Sequence, residues 1–318
     1  MMKLRALVSF SCVAVATACG GSATPPNNSP YIAGFDPPEV AQGLTRFITP
    51  AINDIKPGVE GMWCQWIAEP VTEDTDIIQT GGYQSIGGHH VVLYATSLKQ
   101  PVGTSRECLD TDQVSLRYLG AVGGEGVSGF GGLPAGVVYR LPKGWGLMAN
   151  VHYYNVGRET VSGQSVIDIQ LGPANPSARV ASLFSSLSLD FDIPPKQTAT
   201  LDVNCDIQDD LPLIGSFNHM HQLGTSVKSE VIHADGTTEV MIDDKIWKAE
   251  STFNPQFRHW TPEAAYQLKK GDRLHTTCNW NNTTDADITF PREMCVTGAF
   301  YLGSGLQINC VSNSWEHG

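Results

Sequence analysis

The segment GGHHVVLY (residues 87–94) joins two glycines and two histidines to a run of β-branched and aromatic residues. Residues of this kind fit the pleated, half-buried surface of a strand. Similar runs occur at 137–139 (VVY) and 227–233 (VKSEVIH), and Gly, Pro, Asn and Asp interrupt the chain every 8 to 15 residues. This spacing is typical of sandwiches and jelly rolls. We therefore predict an all-β chain with two tandem antiparallel β-sandwich domains of jelly-roll-like form.

The length of 318 residues suits two domains that each bury a core. The segment LGPANPSARVAS (171–182) interrupts the strand pattern, so we place the domains at 32–178 and 179–318. Helical periodicity is nearly absent, and Thr261-Pro262-Glu263 predicts one brief turn.

A glycine-rich region at 120–136 suggests a phosphate-binding loop at first sight. It lacks the lysine and the following helix that such a loop requires, so we predict a mobile surface loop instead. The formal net charge is −12, and no basic run is present. A surface of that sign repels phosphate backbones, which excludes a nucleic-acid partner.

Residues 1–18 are predicted to be a signal peptide, with Lys3 and Arg5 ahead of a short apolar stretch. Two cleavage sites are possible. The sequence ATA (16–18) fits ordinary secretion, whereas ACG (18–20) resembles the lipobox of bacterial lipoproteins. If the other six cysteines outside the signal peptide pair, Cys19 is an unpaired thiol that lipidation would explain. We expect an exported periplasmic or cell-surface protein, lipid-anchored at Cys19 through a tether at 19–31, with plain secretion as the alternative.

Two histidine pairs are candidate metal ligands. In His219-Met220-His221, residues i and i+2 of a strand point to one face, so both imidazoles can bind one metal. An isolated motif of this type is more often a surface or core pair. The adjacent His89 and His90 can share a metal only at a strand end or bulge, a distortion that the preceding glycines permit.

Two further residues are candidates of a weaker kind. His152 lies in a strand-like run at 147–153, where a buried core histidine is the default interpretation. Met294 precedes Cys295, and its soft thioether favours copper, especially Cu(I), over zinc. An isolated methionine usually serves only for packing.

Together these residues resemble the copper ligands of the copper type II ascorbate-dependent monooxygenases, which include the peptidylglycine α-hydroxylating and dopamine β-monooxygenases. The order agrees, and so does the spacing of 62 residues from His90 to His152, 67 to His219, and 73 from His221 to Met294. The sequence around these residues also resembles that of the family, in the segments HHVVLY, NVHYYN, PP (194–195), HMHQLG and EMC (293–295). The resemblance covers residues 32 to 312.

The resemblance implies two coppers on two β-sandwich domains that face each other across a solvent-filled cleft. His89, His90 and His152 would hold the copper that transfers electrons. His219, His221 and Met294 would hold the copper that activates oxygen and hydroxylates a C–H bond. Ascorbate or another one-electron reductant would supply the electrons.

The resemblance also implies three disulfides, and together they use every cysteine outside the signal peptide except Cys19. The implied pairs are Cys64–Cys108, Cys205–Cys310 and Cys278–Cys295. The last pair would tether Met294 through its neighbour.

The substrate expectation comes from departures from the family. Peptide-amidating members bind the substrate carboxylate through an arginine at the position that here is Phe217. Their substrate-contacting asparagine and tyrosine correspond to Val296 and Gly298. We therefore expect a small-molecule substrate other than a glycine-extended peptide, and membrane contact only through the lipid anchor. Two alternatives stay open: a non-catalytic exported copper-binding protein, and a metal-free carbohydrate-active or adhesive jelly roll.

Overall fold

The computed structural model describes residues 29–109, 112, 116–123, 133–252, 255–303 and 307–317. Within those ranges the protein is built from strands and contains no α-helix, so the predicted all-β class is confirmed. Residues Tyr31–Gly318 form one compact unit.

The first eleven strands are β1 (Thr45–Ile48), β2 (Ile52–Ile55), β3 (Glu60–Ala68), β4 (Thr75–Gln84), β5 (Gly88–Thr96), β6 (Ser105–Glu107), β7 (Leu116–Gly123), β8 (Val137–Leu141), β9 (Gly146–Tyr154), β10 (Val161–Gly163) and β11 (Ser165–Pro173).

The remaining strands are β12 (Arg179–Leu187), β13 (Asp192–Ile193), β14 (Thr198–Asp206), β15 (Leu211–His219), β16 (Gly224–Ile232), β17 (Thr238–Asp244), β18 (Phe257–His259), β19 (Tyr266–Leu268), β20 (Arg273–Asn281), β21 (Ile288–Thr289), β22 (Val296–Leu302), β23 (Ile308–Val311) and β24 (Ser314–His317).

The N-terminal half consists of two sheets packed face to face. One is a five-stranded antiparallel sheet in the order β6-β3-β9-β5-β7, and the other is formed by β1-β11-β4-β8. Alternate residues of β5, such as Val91 and Leu93, meet Ile167 and Ile169 of β11 in a dry core. Because alternate side chains of a strand point to opposite faces, this burial pattern is what the β5 sequence predicts.

The C-terminal half repeats this arrangement. The sheet β14-β20-β16-β17 covers one face of β12-β22-β15. Phe184, Leu213 and Tyr301 from the latter sheet pack against Val231 and Leu274 from the former. The opposite face of β15 and β22 is thereby left to contact the N-terminal half.

One long sheet runs through both halves in the order β1-β11-β4-β8-β12-β22-β15-β18. It is continuous because β8 and β12 form a short parallel pair, with Val137 opposite Arg179 and Val138 opposite Val180. A second parallel pair joins β12 to β23. The other strand pairings are antiparallel in the described ranges. The boundary predicted at 178/179 falls in the connection between β11 and β12, and it stays a prediction.

The three disulfides implied by the family resemblance are confirmed: Cys64–Cys108, Cys205–Cys310 and Cys278–Cys295. They close loops with sequence separations of 44, 105 and 17 residues. Each lies within one half of the chain. Structural disulfides persist in oxidising compartments, so the protein belongs to an exported environment.

Three smaller predictions can be placed. The brief turn is present as a 3₁₀ turn at Pro262–Ala264, and β19 follows it directly. The predicted glycine-rich loop falls mainly on 124–132, outside the described residues, as do the signal peptide, Cys19 and most of the tether. Within the part of the chain that is described, no helix has the length and apolar character needed to cross a membrane.

The N-terminal core offers a direct test of the fold. Leu93 is fully buried, whereas Ile86, seven residues earlier in the same sandwich, is 63 % exposed. Replacing Leu93 by Ala removes buried methyl groups and leaves a cavity, so the free energy of unfolding should fall by about 2–5 kcal/mol. The control Ile86→Ala should change it by less than about 0.5 kcal/mol. Urea unfolding of both variants measures the difference, and equal effects would contradict the described core.

Candidate metal centre

The adjacent histidines lie at a bulge, as their spacing predicts. Gly87 adopts φ +78°, and the register between β5 and β9 shifts between Gly88 and His90. The irregularity turns two consecutive side chains toward one volume. The Nδ1 atoms of His89 and His90 are 3.1 Å apart.

His152 completes this group from the neighbouring strand. It lies on β9 directly opposite His90, and its ring centroid is 4.5 Å from that of His89 and 4.9 Å from that of His90. One ring nitrogen from each of the three residues lies within 4.8 Å of the others. This separation is close enough for all three to bind one metal ion.

Glu60 determines which nitrogen of His152 is available. The Glu60 carboxylate, on β3, lies 3.0 Å from His152 Nε2. A carboxylate accepts a hydrogen bond, so Nε2 carries the proton and Nδ1 presents its lone pair. His152 Nδ1 is buried and has no hydrogen-bond partner in the described structure. This is the usual pairing of a metal-binding imidazole, with a carboxylate on its other nitrogen.

His219 and His221 form the second group. His219 is the last residue of β15, and the two ring centroids are 5.1 Å apart. The Nδ1 atom of His221 donates a hydrogen bond to the backbone carbonyl of Arg292 at 3.1 Å. A carbonyl can only accept, so Nε2 of His221 keeps its lone pair. That nitrogen too is buried and has no partner within the described ranges.

Glu293 fixes the turn that carries His221. Its carboxylate accepts hydrogen bonds from the backbone N–H groups of His221 (3.0 Å) and Leu223 (2.6 Å) and from the indole N–H of Trp280 (3.0 Å). Burial raises the pKa of Glu293 to about 7, although these donors oppose the rise. The indole N–H of Trp247 restrains the same turn by bonding the His221 carbonyl at 3.0 Å.

Met294 follows Glu293 and is half-buried. Its two neighbours are fixed, because Glu293 bonds the His221 turn and Cys295 is bridged to Cys278 on β20. The backbone of this segment therefore lies against His221, as the Arg292 carbonyl contact also shows.

The two histidine groups are in contact in this structure, so the expected solvent-filled cleft between them is wrong. Ring centroids are 5.5 Å apart for His89 and His221, 5.8 Å for His152 and His221, and 6.2 Å for His90 and His219. The physical reason is apolar packing between the halves, since Tyr118 of β7 lies 5.5 Å from Phe300 of β22. The five imidazoles thus line one shared volume.

The electrostatics keep four of these imidazoles neutral, namely those of His89, His90, His219 and His221. Burial first, and then the neighbouring histidines, lower the pKa of His89 to about 2 and that of His221 to about 4. The pKa values of His90 and His219 are lowered well below the ordinary value for the same reasons. A neutral imidazole is the form that binds a metal. Burial favours the neutral acid of Glu60, but the hydrogen bond from His152 and the nearness of His221 and Arg292 hold its pKa below the ordinary value.

The sequence comparison agrees with this chemistry. Residues 177–316 match the family model described as "Copper type II ascorbate-dependent monooxygenase, C-terminal domain". The match covers 140 of the 318 residues, all in the C-terminal half of the chain. The matched segment contains His219, His221 and Met294, together with the Glu293 and Trp280 side chains that restrain them.

The other comparisons add nothing about function. No curated protein matches the chain. Among solved structures, the chain is similar to the major capsid protein P2 of bacteriophage PM2, with a TM-score of 0.34, 9 % identity, and coverage of 82 % of this chain and 98 % of that one. It is also similar to VP54 of PBCV-1, with a TM-score of 0.29, 8 % identity, and coverage of 81 % and 93 %. Similarities with TM-scores this low indicate nothing about function.

Sequence reasoning did not find the residues that orient the imidazoles. Glu293 was visible beside Met294, but its bonds to the His221 turn and Trp280 depend on folding. Glu60 gives no local indication at all, since it lies 92 residues from its partner His152.

Glu60 should control copper affinity at the group formed by His89, His90 and His152. Replacing it by Ala frees His152 to rotate and change tautomer, so Cu(I) binding should weaken by about 10–100-fold. Glu60→Gln keeps an acceptor oxygen and should lose less. Competition with a chromophoric Cu(I) chelator measures the affinity, with the exposed Glu159→Ala as the matched control. An affinity for Glu60→Ala equal to that of the control would show that Glu60 has no such role.

Proposed function

We propose that this protein is a copper-dependent monooxygenase that hydroxylates a C–H bond with dioxygen and a reductant such as ascorbate. The observation that supports this proposal is that five imidazoles line one volume, and two of them bury a nitrogen lone pair that has no hydrogen-bond partner among the described residues. A buried acceptor without a partner costs about 1–3 kcal/mol. A metal ion offsets that cost.

The donor chemistry fits copper better than structural zinc. We assign the electron-transfer copper to His89, His90 and His152, and the oxygen-activating copper to His219, His221 and Met294, which gives two coppers per chain. Imidazole suits both copper oxidation states, and a thioether favours Cu(I). Structural zinc prefers a closed set of four ligands, often thiolates, but six cysteines here form disulfides.

The overall reaction balances with two electrons. One oxygen atom of dioxygen enters the substrate C–H bond to give an alcohol, and the other leaves as water with two electrons from the reductant and two protons. Copper, when bound, supplies one-electron redox chemistry and a place for dioxygen. The protein's own residues position the ligands: Glu60 orients His152, and Glu293 orients His221. Burial of His89, His152 and His221 limits the contact of these three imidazoles with water.

We also propose that the substrate is a small molecule other than a glycine-extended peptide. Phe217 lies two residues before His219 on the same face of β15. A phenyl ring cannot form the paired hydrogen bonds by which an arginine binds a carboxylate.

Replacing Met294 by Ile tests the assignment of the oxygen-activating site. The sulfur ligand is lost while the apolar volume is kept, so turnover should fall by at least about 100-fold, with the fold intact. The readouts are ascorbate-dependent oxygen consumption and circular dichroism. The matched control is Met241→Ile, a buried methionine of the C-terminal core.

Normal turnover of Met294→Ile would show that the oxygen site is assigned wrongly. Full copper loading of the wild-type protein without oxygen consumption, across a broad substrate panel, would favour a non-catalytic exported copper-binding protein. Absence of bound copper in protein purified under copper-replete conditions would favour the metal-free alternative.

The disulfides indicate export, and the N-terminal sequence suggests where the exported protein is held. We propose that Cys19 carries a lipid that anchors the protein to a bacterial membrane, in the periplasm or at the cell surface. Mass spectrometry of the N-terminal peptide from the membrane fraction should find acylated Cys19, and Cys19→Ser should move the protein to the soluble fraction. A mature N-terminus at Cys19 with a free thiol would contradict lipidation and support plain secretion.

A further inference from the structure

A row of rings extends from the metal centre along the face of the C-terminal half that meets the N-terminal half. Phe217 is two residues from His219 on β15, so both side chains lie on one face of the strand. The ring centroid of Phe217 is 5.0 Å from that of Phe257 on β18 and 5.7 Å from that of Phe300 on β22. His259 stacks on Phe257 at 5.5 Å with an interplanar angle of 14°. We call Phe217, Phe257, Phe300 and His259 the aromatic row.

The position of Phe217 depends on a glycine. Gly298 lies opposite Phe217 on β22, and a Cβ atom built there would be 2.4 Å from the Phe217 ring. The absence of a side chain lets the ring lie across β22. Val296 is the residue opposite His219 on the same strand. The surface beside His219 therefore consists of a ring, a glycine and a valine.

The aromatic row is open at one end and reaches the metal centre at the other. His259 is exposed, Phe217 and Phe257 are half-buried, and His219 is half-buried at the inner end. Tyr118 and Tyr139 of the N-terminal half lie against Phe300, at 5.5 Å and 6.2 Å between centroids. A molecule held against the outer rings would thus point toward His219.

The charges near the aromatic row do not suit an ionic ligand. Arg258 follows Phe257, and its guanidinium is directed elsewhere. It donates to Glu239 at 3.0 Å and lies over the Trp260 ring at 5.0 Å. The row itself contains no carboxylate, lysine or arginine. A charged substrate group bound here would lose hydration without gaining a partner, which is costly.

We infer that the aromatic row is the substrate-binding wall of this enzyme, and that it selects an uncharged molecule with an aromatic or similarly flat apolar group. Rings pack on rings in offset or edge-to-face contact, which adds to simple burial of apolar area. The reacting C–H bond would lie beyond the ring, toward His219. The identification of this molecule as a substrate rests on the proposed function.

Fluorine NMR of metal-free protein tests the binding directly. Three probes share one ring and differ in charge: 4-fluoroethylbenzene, 4-fluorophenethylammonium and 4-fluorophenylacetate. The neutral probe should bind at least about 10-fold more tightly than either ion, and Phe217→Ala should weaken it by about 10-fold. Phe191→Ala is the matched control, because Phe191 stacks on Trp280 at 5.3 Å, outside the aromatic row. It should leave the affinity unchanged.

A change in the selectivity among the three probes provides a second readout. Phe217→Arg should move the selectivity toward 4-fluorophenylacetate, and Phe217→Leu, which keeps an apolar side chain, should retain the neutral preference. Phe217→Leu keeps the test valid if the arginine variant does not fold. Equal binding of the three probes, or an affinity unaffected by both Phe217→Ala and Phe217→Leu, would overturn the inference.

The two proposals fail in different ways. Phe217-dependent binding of the neutral probe, in a protein that loads copper but consumes no oxygen, would refute the monooxygenase and leave the aromatic row as a binding site. Ascorbate-dependent oxygen consumption, together with an affinity for the neutral probe that the Phe217 variants do not change, would support the monooxygenase. The same result would refute the aromatic row as its substrate-binding wall.

Discussion

Two buried imidazole nitrogens with unused lone pairs are the constraint on which the site depends. His152 Nδ1 and His221 Nε2 have no hydrogen-bond partner among the described residues, because the other nitrogen of each ring is bound, by the Glu60 carboxylate and the Arg292 carbonyl respectively. Other interactions in the folded protein have to offset the free energy that is lost when these two acceptors are buried without a hydrogen bond. The chain does so with a dry core in each half and with disulfides that pin the segments around them.

The approach of the two halves follows from the same strands. Because β8 and β12 pair, one sheet continues from the N-terminal half into the C-terminal half. The free face of β15 and β22 then meets β7 and β8, with Phe300 against Tyr118. His219 and His221 are carried at one end of this face and reach the group formed by His89, His90 and His152. The contact between histidine groups and the aromatic row are therefore two parts of one apolar junction.

Much of this could be predicted from the sequence, where the information is local. The alternation in β5, the bulge that Gly87 and Gly88 allow, and the i and i+2 placement of His219 and His221 are properties of short segments. The disulfide pairing followed from the family resemblance, and all three bridges are present.

The rest depends on contacts between distant residues. Glu60 meets His152 across 92 positions of sequence, and the Glu293 carboxylate meets the backbone of His221 across 72. The predicted cleft was wrong because the packing of Tyr118 on Phe300 joins two strands that no sequence pattern relates. The family resemblance identifies Phe217 as a residue that replaces an arginine. Its contacts with Phe257 and Phe300 could not be predicted, because they depend on the pairing of three strands.

The most direct test is a crystal structure of the copper-loaded protein with anomalous scattering measured at the copper edge. We predict two copper peaks, one bound by His89, His90 and His152 and one by His219, His221 and the sulfur of Met294. A single peak, or peaks away from these six side chains, would contradict this prediction.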